Sequence, residues 1–102
     1  MEIIQKNGTT EGSFLAVEGD KIVGKLTYTW SGNNHFMIDE TEIINQYDGQ
    51  SLGRKMIEKA VEFAREKNYT ITPRSSYAQY IFDTTPAYND VRKSENKQLL
   101  NN

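Results

Sequence analysis

The sequence predicts an α+β domain: a mixed, mostly antiparallel sheet containing one βαβ unit, a long helix packed on the sheet, and a second short helix. Three observations carry that reading. Apolar and polar residues alternate strictly from Lys21 to Trp30, and the run Ser13 to Val17 lies just across Glu18-Gly19-Asp20, a hairpin signature. From Asp48 to Lys67 the apolar residues Leu52, Met56, Ile57, Ala60, Val61, Phe63 and Ala64 cover about half of a helical wheel at about 100° per residue. A short run, Tyr69 to Thr72, follows that helix and is stopped by Pro73, so strand, helix and strand make one βαβ unit with parallel strands.

Taken in order, Met1 to Lys6 is a short edge strand around Ile3 and Ile4, ended by Asn7-Gly8. In the strand Lys21 to Trp30, alternation places Ile22, Gly24, Leu26, Tyr28 and Trp30 on one face, with Val23, Lys25, Thr27 and Thr29 on the other. Ser31-Gly32-Asn33-Asn34 turns the chain into a strand from His35 to Ile44. Unbroken alternation there groups Phe36, Ile38 and Glu40 on one face and Met37, Asp39, Thr41 and Ile43 on the other, which spreads acidic residues over both sides. Ser75 to Asp83 forms the second helix, with Ser75 or Ser76 as its N-cap and Tyr77 and Ile81 facing the sheet. One domain over 1–92 is expected, followed by a polar tail, 93–102, expected to be disordered.

Composition narrows the function classes. A chain of 102 residues with 36% hydrophobic residues and a mean hydropathy of −0.73 supports one small core. It has no cysteine and a single histidine, His35, which argues against disulfides, thiol catalysis and a metal site. A net charge of −2, with acids and bases interspersed, argues against nucleic-acid binding. No apolar run reaches the roughly 20 residues of a membrane span, and the start MEIIQKNG lacks a signal-peptide pattern, so a soluble, cytoplasmic protein is expected.

The stretch with chemical potential is GQSLGRK, Gly49 to Lys55. It is not a nucleotide-hydrolase phosphate loop, since three residues separate its glycines and Arg54-Lys55 replaces Lys followed by Ser or Thr. Spacing alone favours a turn and N-cap, with Ser51 as the capping hydroxyl. A helix start of this kind also presents up to four N–H groups and a positive dipole end to an anion.

Set in context, the strand IDETEI, the turn and helix DGQSLGRKMIEKAVEFA, the strand YTITP and the segment SSYAQYIFDTTPAYNDV resemble the GNAT acetyltransferase superfamily, and within it the short single-domain Yjd-type branch. The resemblance spans roughly Phe14 to Val91. It implies acetyl-coenzyme A as cosubstrate, its pyrophosphate held by backbone amides of Gly49, Gln50, Ser51, Leu52, Gly53 and Arg54. Asp48 stands where a basic or amide residue is usual, and Ser51 where glycine is usual. The resemblance also maps an oxyanion-binding backbone N–H to Ile43 and Ile44, and a proton donor for the departing thiolate to Tyr77 or Tyr80.

Ser75 occupies the place of the branch's cysteine. Without a neighbouring base a serine is a poor nucleophile, so Ser75 reads better as a helix cap and direct transfer is expected. The amine acceptor must lose a proton, and Glu42, then Glu40, is the candidate base. The acceptor is an amine, small molecule or protein lysine, and a cationic one suits the carboxylates at Asp39, Glu40 and Glu42. The alternative is a non-catalytic coenzyme A-binding or protein-interaction module that has lost the cysteine. A monomer or weak dimer is expected. His35, Trp30, Tyr28 and Met37 read as packing or surface residues.

Overall fold

The computed structural model describes residues 1–44 and 49–93, and of Gly49 and Gln50 the backbone only. Asp48 of the expected turn and 94–102 of the expected tail lie outside the described residues. The order is β1 (Glu2–Asn7), β2 (Glu11–Glu18), β3 (Lys21–Trp30), β4 (His35–Ile43), α1 (Gly49–Lys67), β5 (Thr70–Pro73), α2 (Ser76–Asp83) and a 3-10 turn, Pro86–Tyr88. The five strands form one sheet in sequence order, antiparallel except for the β4–β5 pair, which is parallel. The α+β architecture is thus the one the sequence predicts.

Each element follows from its local chemistry. Gly19 turns the β2–β3 hairpin with φ of 64°, a value that favours glycine. Asn68, at φ 61°, ends α1 in the left-handed conformation, and the Tyr69 N–H closes the last turn on the Ala64 carbonyl at 2.8 Å. The apolar arc of α1 is buried as predicted, with Leu52, Met56, Ile57, Ala60, Val61 and Ala64 all in the core and Phe63 packed at its margin. At the far end of the sheet Phe14, Tyr28, Trp30, Phe36, Phe63 and Tyr69 make one aromatic cluster. The buried Tyr28 hydroxyl accepts from Gln5 Nε2 at 2.8 Å and donates to Asn7 Oδ1 at 3.1 Å, so its polar tip is satisfied at the β1 edge. Burial pushes that phenol above its ordinary pKa.

Two bulges depart from strict alternation. In β3, Ile22 pairs with Val17 and Gly24 with Ala16, which leaves Val23 as an extra residue. Val23 turns into the core at 1% exposure, and Ile22, expected inside, is 54% exposed. In β4, Ile38 pairs with Tyr28 and Glu40 with Thr27, so Asp39 is the extra residue. Beyond it Thr41 and Ile43 share the helix-side face with Leu26 and Gly24, whereas Glu40 and Glu42 lie on the opposite face beside Thr27 and Lys25. Alternation had grouped Glu40 with Phe36 and Ile38, opposite Asp39; the bulge instead turns Glu40, and Glu42 with it, to the outer face.

Both helices contribute to the single core, and among the described residues no helix covers the outer face. There His35 bonds Thr70 Oγ1 at 2.7 Å through Nδ1 and Thr72 Oγ1 at 2.8 Å through Nε2, which staples β4 to β5.

After α2 the chain returns along β5: the Ile71 N–H donates to the Val91 carbonyl at 2.7 Å and the Lys93 N–H to the Ile71 carbonyl at 2.8 Å. Arg65 on α1 clasps this return. Its Nε and Nη2 donate to the two Asp90 carboxylate oxygens at 2.9 and 3.0 Å, and Nη2 also donates to the Ala87 carbonyl at 2.6 Å. The Arg65 hydrogen bond holds the Asp90 carboxyl below its ordinary pKa. A depressed carboxylate stabilises the fold above its unfolded pKa and loses that contribution as pH falls through the folded value. The stability gap between the parent chain and Arg65→Ala is accordingly expected to be full near neutrality and to close below about pH 4. Thermal unfolding across a pH series measures it, and a gap that widens in acid would contradict the assignment.

Candidate functional site

The βαβ unit opens a cleft because its parallel pairing is short. β4 and β5 are paired only from His35–Thr70 to Ile38–Pro73. Pro73 ends β5, and the next two residues turn away while both Arg74 and Ser75 donate their N–H groups to the Ile38 carbonyl, at 2.9 and 3.3 Å. From Asp39 to Ile43, β4 runs on with β3 on one side and no β5 partner on the other. The Asp39 bulge sits where the strands part.

Backbone direction along this open edge follows from one bond. The Ile44 N–H donates back to the Val23 carbonyl at 3.1 Å. Successive N–H groups of an extended strand point to opposite sides, so Ile43, and by the same parity Thr41, direct their N–H groups away from β3, toward the gap. Of the two residues expected to supply an oxyanion N–H, Ile44 has its donor engaged within the sheet and Ile43 has its donor aimed outward. Thr41 is a residue that sequence reasoning passed over. Its buried Oγ1 finds no hydrogen-bond partner among the described residues, a rare state for a buried hydroxyl. Alternation without a bulge had turned it to the wrong face, so no signal in the sequence distinguished it.

The N-terminus of α1 is set beside that edge by a glycine beneath it. A Cβ built on Gly24 would lie 3.2 Å from each of Ile43 Cδ1, Leu52 Cδ2 and Met56 Cε. Without a side chain at Gly24, Leu52 and Met56 settle directly on β3 and β4. Leu52, expected in the cofactor turn, is thus a core residue, 5% exposed, with only its backbone open to a polar role. The run Gly49 to Gly53 is itself helical, the first turn of α1 rather than a loop before it. Ser51 and Arg54 are exposed on that turn, which carries no acidic side chain. Anions are favoured at such an end.

The start of α2 closes the cleft from the other side. Ser75 is its N-cap, with Oγ accepting from the Ala78 N–H at 3.1 Å. Tyr77, in the first turn of α2, lays its ring on Gly53 of α1. Tyr80 is half exposed on the same helix.

Beside the Ile44 end of β4 a recess of about 220 Å³ is lined from the outer face by Lys25 and Glu42, and also by Ile22, Val23, Gly24, Ile43 and Ile44. Glu42 is exposed in it and lies directly across from Lys25. A larger groove of about 520 Å³ runs over the same face past Lys25, Thr27 and Thr29 to Asp39. Asp39 accepts from Thr29 Oγ1 at 2.5 Å and faces Arg74 Nη1 at 3.7 Å, so its charge is already answered. Among the described residues no cluster of His, Cys, Asp and Glu could hold a metal ion, and no helix is long and apolar enough to cross a membrane.

A sheet parted after a βαβ unit, with a helix start at the gap, invites comparison with known proteins. The sequence profile of the GCN5-related N-acetyltransferases matches residues 13–91, which is most of the chain. The chain belongs to the GCN5-related N-acetyltransferase family. Solved structures agree with this acetyltransferase-family fold. A GCN5-like protein from Staphylococcus aureus, solved by NMR and described as a candidate N-acetyltransferase, is 30% identical, with a TM-score of 0.67 over 91% of this chain and 88% of that one. A streptothricin acetyltransferase homologue from Bacillus anthracis, solved with acetyl coenzyme A, is 23% identical with a TM-score of 0.53; the match covers 64% of this chain and 38% of that one. An aminoglycoside acetyltransferase from an uncultured soil metagenomic sample, solved with sisomicin, is 20% identical with a TM-score of 0.62, over 87% of this chain and 63% of that one. No curated protein sequence matches the chain.

Proposed function

We propose that this family member transfers an acetyl group from acetyl-coenzyme A directly to an amine. The observation that carries the reading is the unpaired edge of β4 next to the start of α1. Its supports are the family itself and the fold shared with a protein solved with acetyl coenzyme A. The pantetheine arm lies along Thr41 to Ile43, as an extended ligand adds to a free sheet edge. The diphosphate meets the N–H groups of Gly49, Gln50, Ser51 and Leu52 at the first turn of α1, with Arg54 supplying positive charge. The Ile43 N–H stabilises the oxyanion that develops on the thioester oxygen.

With α1 and α2 on the inner side, the acceptor approaches from the outer face. Glu42 takes its proton there, directly or through one water, and Glu40 is the second candidate. Tyr77 protonates the departing thiolate. Ser75 acts as a cap and not as an acyl carrier, because its oxygen already holds the start of α2. Cationic acceptors suit Glu40 and Glu42, whereas Asp39 already faces Arg74, and the aminoglycoside-bound neighbour gives one class of polyamine to try.

The same Ser75 capping bond favours a second reading, a coenzyme A-binding module without catalysis. Two measurements separate the readings: isothermal titration with acetyl-coenzyme A, and release of free thiol from it in the presence of a panel of primary amines and polyamines. Binding with amine-dependent thiol release is the expected result. Binding without release would leave the module, and absence of binding would remove both.

A further inference from the structure

We propose that Gly53 is a positioning residue for Tyr77: its bare backbone is the seat on which the phenol ring rests, and that seat sets the hydroxyl at the first turns of α1. The inference rests on the reading of Tyr77 as the group that meets the coenzyme A sulfur. It gives the second glycine of the GQSLG run a role other than the phosphate contact that the motif suggests.

The geometry leaves no room for a side chain. A Cβ at Gly53 would stand 2.6 Å from Tyr77 Oη, 2.8 Å from Cε2 and 2.9 Å from Cζ, all inside van der Waals contact. The ring therefore lies flush on α1 with its hydroxyl end over Gly53. The other end of Tyr77 is fixed independently. Ile38 accepts from the Arg74 and Ser75 N–H groups, and Ser75 caps α2, so the first turn of α2 is tied to β4 where β4 and β5 part. The neighbouring Ala78 is fully buried, which stops α2 from rolling. With the helix start pinned and the ring seated, the hydroxyl is held over the first turns of α1.

In the transfer step the amine nitrogen forms a bond to the thioester carbon, the C–S bond breaks, and sulfur leaves with the electron pair. Tyr77 Oη gives sulfur its proton, the amine's proton passes to Glu42, and Glu42 releases it to solvent, from which the phenolate is reprotonated. A hydroxyl displaced by an ångström no longer meets the sulfur.

A phosphate role and a seating role separate on substitution. Alanine at 53 keeps every backbone N–H and is the better helix former, so a diphosphate held by amides is unaffected. The same methyl pushes the ring away. The test uses the full chain with coenzyme A and desulfo-coenzyme A as probes, titrated calorimetrically against the parent, Gly53→Ala, Tyr77→Phe and the double variant. The parent is expected to bind coenzyme A about fivefold more tightly than the desulfo form, the size of one hydrogen bond. Gly53→Ala and Tyr77→Phe should each bring that ratio to about one at unchanged desulfo-coenzyme A affinity, and the double variant should lose nothing more. Where turnover is measurable, Gly53→Ala should lower kcat and leave KM for acetyl-coenzyme A alone.

A Gly53→Ala chain that weakens both probes equally and keeps the ratio would overturn the inference and return Gly53 to the phosphate turn. A parent that binds neither probe overturns the proposed function, and this inference with it. If Gly53→Ala fails to fold, Gly53→Ala combined with Tyr77→Ala should fold, because the ring that the methyl meets is gone; a double variant that remains unfolded also counts against the seat.

Discussion

Glu42→Gln is expected to reduce amine-dependent thiol release by about a hundredfold or more, the range of a general base, while acetyl-coenzyme A affinity stays within about twofold. The expectation follows from where the Asp39 bulge leaves this carboxylate: exposed on the outer face, one residue before the outward-pointing N–H of Ile43. The substitution keeps the shape and removes only the basic oxygen. Because the side chain is exposed, stability should move by no more than about 0.5 kcal/mol, so folding does not confound the result. Steady-state kinetics on an accepted amine measures the effect, and unchanged turnover would remove Glu42 from the mechanism. Glu40→Gln, two residues away on the same face, is the control for a general effect of charge.

The second large effect is expected at Gly24→Val. Gly24 is where Ile43, Leu52 and Met56 meet, each 3.2 Å from a Cβ placed there. A methyl would make those side-chain ends shift slightly; a branched side chain would lift the first turn of α1 off the sheet. Overpacking of this kind costs about 1–3 kcal/mol. In a chain of this size each kcal/mol lowers Tm by about 4–8 °C. Acetyl-coenzyme A affinity should fall with it, because the helix start and the edge of β4 would lose their mutual placement. Thermal unfolding and calorimetry on Gly24→Val, with Gly19→Val as a comparison that is destabilised by its φ of +64° at a turn away from the junction, would show whether the loss of binding belongs to that junction.

Much of this was legible in the sequence, and the part that was not has a physical cause. The arc of α1 and the hairpin at Gly19 announce themselves through periodicity, because burial of one face leaves a repeating record. The Ser75 cap was legible too, since a hydroxyl before a helix has few other uses. Bulges leave no such record. Val23 and Asp39 look like ordinary strand residues, and the shift each introduces is visible only when both partner strands are known. That is why Ile22 was expected inside, why Thr41 was overlooked, and why Glu40 was grouped with Phe36 and Ile38. The glycines were half legible. Gly53 stood out, but as part of an anion-binding turn; its contact with Tyr77 joins residues 24 apart in sequence across two helices, and no local pattern encodes it. Gly24 read as one more residue on an alternating strand.

The extra residue in β4 also bears on how this chain would be aligned with others. Remove Asp39 and the faces of Phe36, Ile38, Thr41 and Ile43 stay as they are; only the kink goes. In the vocabulary of insertions and deletions, the kink beside the open edge is a gap of one residue and depends on no particular side chain. A tally of substitutions would pass over it, whereas a single deleted codon would remove it and leave a more regular strand.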